Sequence, residues 1–184
     1  YAVGGGAMLL AINSMVHAEA PSFYQATRNS EHELAGSRII RRIGLLAVAA
    51  IAISVLGGPA IRLVYDDRYA SSAALLPLIV AGLFLWGVFS FKNLTLLARK
   101  RSAISSVTTI GAAVANLGLN FALIPTLGAT GAAIATVMAY GLQALVGVIL
   151  ERRLSPIPQH IGRMLLMTAA VLGTAWLVYL GLRS

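Results

Sequence analysis

The amino-acid sequence predicts an all-α, polytopic transmembrane bundle of about six helices, forming a single domain over residues 1–184. Three observations carry this expectation. Apolar residues make up 58% of the chain and charged residues only 11%, whereas a water-soluble domain carries roughly 25% charged residues. The apolar residues gather in long runs, and the mean hydropathy is +0.83. The basic residues fall between those runs, on alternate connections. With so few polar side chains, the surface cannot face water all round, and membrane lipid must be the solvent for most of it.

A spanning helix needs about 20 mostly apolar residues, because the hydrocarbon core is roughly 30 Å thick and each residue rises about 1.5 Å. The first candidate, 1–18, is short and contains Asn13 and His17. It reads as the end of a spanning helix whose start lies upstream. The chain begins at Tyr1 with no basic stretch before that run, which fits a truncation point and not a signal peptide. Five further runs qualify directly: 43–65, 75–97, 103–124, 129–150 and 161–182. Within 43–65, Pro59 is expected to bend the helix.

The connections orient the chain. The first holds Arg28, Arg38, Arg41 and Arg42, the third Arg99, Lys100 and Arg101, and the fifth Arg152 and Arg153. These are nine of the fourteen basic residues, against Arg68 alone in the second and fourth connections. The positive-inside rule places the first, third and fifth in the cytoplasm. Ser30-Glu31-His32-Glu33 has capping-box spacing and predicts the start of a short interfacial helix before residue 43. Residues 125–128 predict a tight uncharged turn, and Pro156 and Pro158 break the chain before the last helix. The C-terminus, after Arg183-Ser184, then lies outside, or a last helix is missing.

Several function classes drop out. The net charge is +8, but the cations form short clusters without the interleaved aromatics of a nucleic-acid surface, so the partners expected are membrane lipids and not nucleic acid. There is no cysteine, which removes disulfides and thiolate chemistry. The three histidines are far apart, carboxylates number six, and no nucleophile–base set or metal-ligand spacing is present. No enzyme activity, metal or cofactor is expected.

Some polar residues lie where lipid is expected. Thr108, Ala112, Asn116 and Asn120 recur every four residues and mark one face of the 103–124 helix. A buried amide needs a partner, so this face meets protein or water. It is either the wall of a transport cavity or interhelical glue. Lys92, inside 75–97, is a second cavity candidate, and the alternative is a side chain snorkelling to the inner surface. Asn13, His17 and Glu19 cluster near the inner end of the first segment, as cavity candidates or interfacial contacts. Arg62 and Asp66, four apart, are spaced to pair. Gly131, Ala135 and Ala139 form a small-residue face suited to close packing against the preceding helix.

Arg99-Lys100-Arg101, Asn116-Leu117-Gly118-Leu119-Asn120, Leu123-Ile124-Pro125, then Gly128-Ala129-Thr130-Gly131-Ala132-Ala133-Ile134-Ala135-Thr136 and Tyr140 follow in order. This succession resembles the C-terminal lobe of polysaccharide flippases of the multidrug/oligosaccharidyl-lipid/polysaccharide exporter superfamily. Leu63-Val64-Tyr65, Tyr69-Ala70-Ser71-Ser72-Ala73 and Pro21 resemble further stretches of the same lobe. The resemblance covers 20–140 and is most specific over 99–140. It departs from the family pattern at Asp66-Asp67, where a glycine is common.

The resemblance implies one lobe of a twelve- to fourteen-helix transporter whose N-terminal lobe is missing here. It also implies alternating access and transfer of an undecaprenyl-pyrophosphate-linked glycan across the bacterial plasma membrane. Alternatives are a drug or peptidoglycan-precursor exporter of the same superfamily, a membrane enzyme built on Glu19 or Asp66/Asp67, and a non-transporting scaffold.

Overall fold

The computed structural model describes residues 2–64, 70–155, 157, 158 and 160–183, apart from the side chains of 2–4, 62, 64, 70–72 and 183. The expected Arg62–Asp66 pair lies outside what is described. Five helices follow one another: α1 (Ala2–Arg28), α2 (His32–Val64), α3 (Ala70–Ala98), α4 (Ser102–Leu154) and α5 (Ile161–Arg183). Among the described residues there is no strand. The all-α expectation holds, and the count of about six spans is replaced by a coarser one. Four helices, α2 to α5, are long and apolar enough to cross a membrane. α1 is not among them; its sequence includes Asn13, His17 and Glu19.

α4 is the exception to simple counting. At 53 residues a straight helix would run roughly 80 Å. It folds back instead: the Gln143 amide donates to the Thr109 hydroxyl at 3.3 Å, 34 positions away. The reversal sits at Gly128, with φ 57° and ψ −136°, a region open to glycine and closed to residues with a Cβ. The expected turn over 125–128 therefore narrows to one residue, and helical structure continues through Pro125. Gly131 lets the arms meet, since a Cβ there would lie 2.5 Å from the Leu123 carbonyl oxygen. Ala135 and Ala139 on the same face are fully buried.

α2 also differs from expectation. The short interfacial helix is the first turns of α2 itself, because no proline separates His32 from the apolar run. The helix is 33 residues long, about 50 Å, longer than the hydrocarbon core. It continues through Pro59, as the single run 43–65 predicted. The capping box does not form. Ser30 takes φ 61°, its N–H bonds Thr27 O, and the Glu31 N–H bonds Ala26 O at 2.9 Å. That is a Schellman closure of α1. α3 ends in the same way, with Lys100 at φ 56° and Arg101 N–H bonded to Leu96 O. Both positions usually carry glycine, so composition gave no signal for them.

The core is organised around α3. Of its spanning stretch 83% is buried within the protein, against 17% for α5. α1, α2, α4 and α5 all pack on it, whereas among the described helices α4 packs on α3 alone. The sequence of α3 permits this position: it is apolar nearly all round, and such a helix can be covered on every side by protein or by lipid. Phe84 and Phe91 are fully buried, together with Met8 and Ile12 of α1 and Ile43 and Leu46 of α2. Gly87 makes room for Leu46 and Ile12. The outward side of the first α4 arm keeps Val107, Ile110, Val114 and Phe121 more than 60% exposed, an apolar surface suited to lipid or a membrane partner.

The three basic connections share one end of the bundle. Arg28 and Lys100 line one pocket, and Gly36 of α2 lies against Pro158 before α5. At the opposite end Gly57 meets Leu76 and Gly58 meets Leu182.

Candidate functional site: an amide-lined pocket beside a buried ion pair

Folding α4 back on itself brings the amides of its two arms together over the middle of α3. The result is a pocket of about 370 Å³ lined by Trp86 of α3, Thr109, Asn116 and Asn120 of the first arm, and Tyr140 and Gln143 of the second. Asn120 donates from its Nδ2 to the Asn116 Oδ1, a bond between residues one helical turn apart. Gln143 is 2% exposed and spends its Nε2 on Thr109. The Gln143 Oε1 and the Asn120 Oδ1 are buried and have no hydrogen-bond partner among the described residues. An unmet acceptor away from water costs about 1–3 kcal/mol, so the pocket is suited to a ligand that brings donors. Among the described residues no charged side chain lines it.

The sequence candidates divide here. Asn116 and Asn120 line the pocket, and so does Ala112, one helical turn before Asn116. Thr108 does not: its hydroxyl turns back to the Ile104 carbonyl at 2.9 Å, and Thr109 takes the place beside the pocket. Asn13 and His17 are exposed on α1, away from it. The sequence reading missed Gln143, Thr109 and Trp86. The signal that would have found Gln143 is the turn itself, since a hairpin brings the lone amide of the second arm against the polar face of the first.

Lys92 is held in a separate arrangement. Its Nζ lies 2.8 Å from the Glu151 Oε2, with side chains 3% and 0% exposed. The Thr95 hydroxyl donates to the other Glu151 oxygen at 2.9 Å. The Lys92 ammonium therefore reaches neither the surface nor the amide pocket. Glu151 reads in the sequence as the first residue of a basic connection, but α4 continues to Leu154 and carries its carboxylate inward. Gly147, one turn earlier, lets α4 lie close to Phe89 and Lys92.

Two further polar groupings sit at the basic end. Glu19 of α1 is buried and accepts from Arg42 Nε of α2 at 2.7 Å, with Arg38 at 4.0 Å. This clip joins the two helices and gives Glu19 a structural partner. A cavity of about 470 Å³ is lined by Tyr24, Thr27, Arg28 and Lys100. Burial pushes the Tyr24 phenol above its usual value of 10.0, so it remains a hydrogen-bond donor. Among the described residues no three His, Asp or Glu side chains gather as a metal site would require.

Comparison with protein-family models, characterised proteins and solved structures finds no match for this chain. The functional reading therefore rests on the geometry above and on the motif order within the sequence.

Proposed function

We propose that this chain is one lobe of an alternating-access flippase, moving an undecaprenyl-pyrophosphate-linked glycan from the inner to the outer leaflet of the bacterial plasma membrane. The observation that carries the reading is the amide pocket at mid-helix depth, on the side of α3 that α1, α2 and α5 leave to α4. A polar concavity at that depth needs water, protein or a polar substrate to satisfy it. Substrate sites of secondary transporters lie near the bilayer midplane, where two lobes meet.

The basic end supports the same reading. Ten cations, from Arg28 to Arg163, belong to the three connections and helix ends gathered there. That end would face the cytoplasm and meet anionic head groups and the substrate pyrophosphate. The missing partner is a second, N-terminal lobe that completes the cavity, and the chain performs no bond-making chemistry.

The test is transfer in reconstituted vesicles. A labelled lipid-linked oligosaccharide is placed in one leaflet with the complete two-lobe protein in the membrane, and its accessibility to an external lectin is followed. Protein-dependent transfer is expected. A rate equal to that of protein-free vesicles overturns the proposal.

A further inference from the structure

The amide pocket has a chemical selectivity that the transport reading alone does not require. Two of the buried side-chain oxygens without a hydrogen-bond partner among the described residues, Gln143 Oε1 and Asn120 Oδ1, are both acceptors, and both belong to residues that line the same cavity. Turning the Gln143 amide over would exchange an unmet acceptor for an unmet donor, so one polar group stays unmet in either orientation. Trp86 and Tyr140 supply flat, largely apolar lining with polar tips. The volume, about 370 Å³, falls in the range of small-molecule sites, roughly 300–1,000 Å³.

Charge is what the pocket lacks. No Lys, Arg, His, Asp or Glu is among its lining residues. Lys92, the buried cation of the same helix α3, is paired with Glu151. The basic cavity at the bundle end lies about 11 residues further along α3, roughly 16 Å away at 1.5 Å per residue. An anion entering the amide pocket would find no counter-charge and would face the two unmet oxygens.

We propose that the pocket is a subsite for one neutral, hydroxyl-rich ring of sugar size, whose hydroxyls donate to Gln143 and Asn120, and that it refuses an anionic sugar. As the glycan end of a lipid-linked substrate this rests on the flippase reading; as a saccharide site it stands by itself. The subsite holds sugar apart from pyrophosphate, which belongs at the basic end.

The chain has two tryptophans, so Trp176→Phe leaves Trp86 as the only reporter. The purified protein in detergent is titrated with methyl α-D-glucopyranoside, N-acetylglucosamine and glucuronate while Trp86 fluorescence is followed. A saturable change with at least one neutral sugar and none with glucuronate is expected. Gln143→Met, similar in shape and without the amide, should weaken the response about tenfold, the loss of roughly one hydrogen bond to a buried group.

Should Gln143→Met fail to fold, Ala113→Cys gives a second readout. The chain has no other cysteine, and Ala113 is an exposed residue on the pocket lining. Neutral sugar should slow its maleimide labelling, and glucuronate should not. No saturable response to either neutral sugar, an equal response to glucuronate, or an undiminished response in a folded Gln143→Met overturns the proposal. Saccharide binding without flipping would refute the transport reading and leave the subsite standing. Flipping without any saccharide response would do the reverse.

Discussion

Removing Lys92 should be the most damaging single substitution in this bundle outside the largest core side chains. Glu151 is fully buried and is held by the Lys92 ammonium at 2.8 Å and the Thr95 hydroxyl at 2.9 Å. Lys92→Met preserves the bulk of the stem and deletes the charge, leaving a carboxylate enclosed between α3 and α4. Breaking a buried pair in this way costs about 3–5 kcal/mol. Thr95→Val removes one bond to a charged group and should cost about 1.5–3 kcal/mol. For a chain of this length 1 kcal/mol corresponds to roughly 2–4 °C in Tm, so Lys92→Met should lower the midpoint by about 10 °C. Circular dichroism melts in detergent measure this directly.

The double variant Lys92→Met/Glu151→Leu is the decisive arm. With both charges gone, no ion is left unpaired, and an apolar pair of similar volume is often as stable as the original. It should recover most of the loss. If Lys92→Met melts with the parent protein, or if the double variant is no better than the worse single, the pair is not holding the two helices together as the geometry implies.

Other perturbations test separate parts of the structure. Gly131→Ala places a methyl 2.5 Å from a backbone carbonyl of the facing arm and should destabilise by about 1–3 kcal/mol. Gly118→Ala, with open space at its Cβ, should be neutral or stabilising by up to about 1 kcal/mol. Equal melts for these two would contradict the hairpin packing. Gly128→Ala should cost about 1–3 kcal/mol through backbone strain alone, because nothing lies within 4 Å of the added methyl. Ser30→Gly relieves a left-handed residue at the α1 closure and should raise stability by about 0.5–1 kcal/mol. In the cysteine-free chain, Arg99→Cys should react with a membrane-impermeant maleimide only after the cytoplasmic face is opened; labelling of intact cells would invert the proposed orientation.

The sequence by itself determined the long apolar helices. A helix able to cross lipid must be a contiguous apolar run, so it is written locally. The Asn116/Asn120 face was legible for the same reason, since a polar stripe on an apolar helix shows in a single segment. What the sequence did not disclose was the neighbour each helix hides its polar groups against. Lys92 finds Glu151, and Thr95 finds a residue 56 positions away, through the close fit of α4 on α3 at Gly147. Gln143 joins Thr109 only because Gly128 turns the chain back. The central place of α3 is equally a matter of assembly, because an apolar helix reads alike whether lipid or protein surrounds it. Periodicity records which face of a helix must be covered; only the packing of helices distant in sequence decides what covers it.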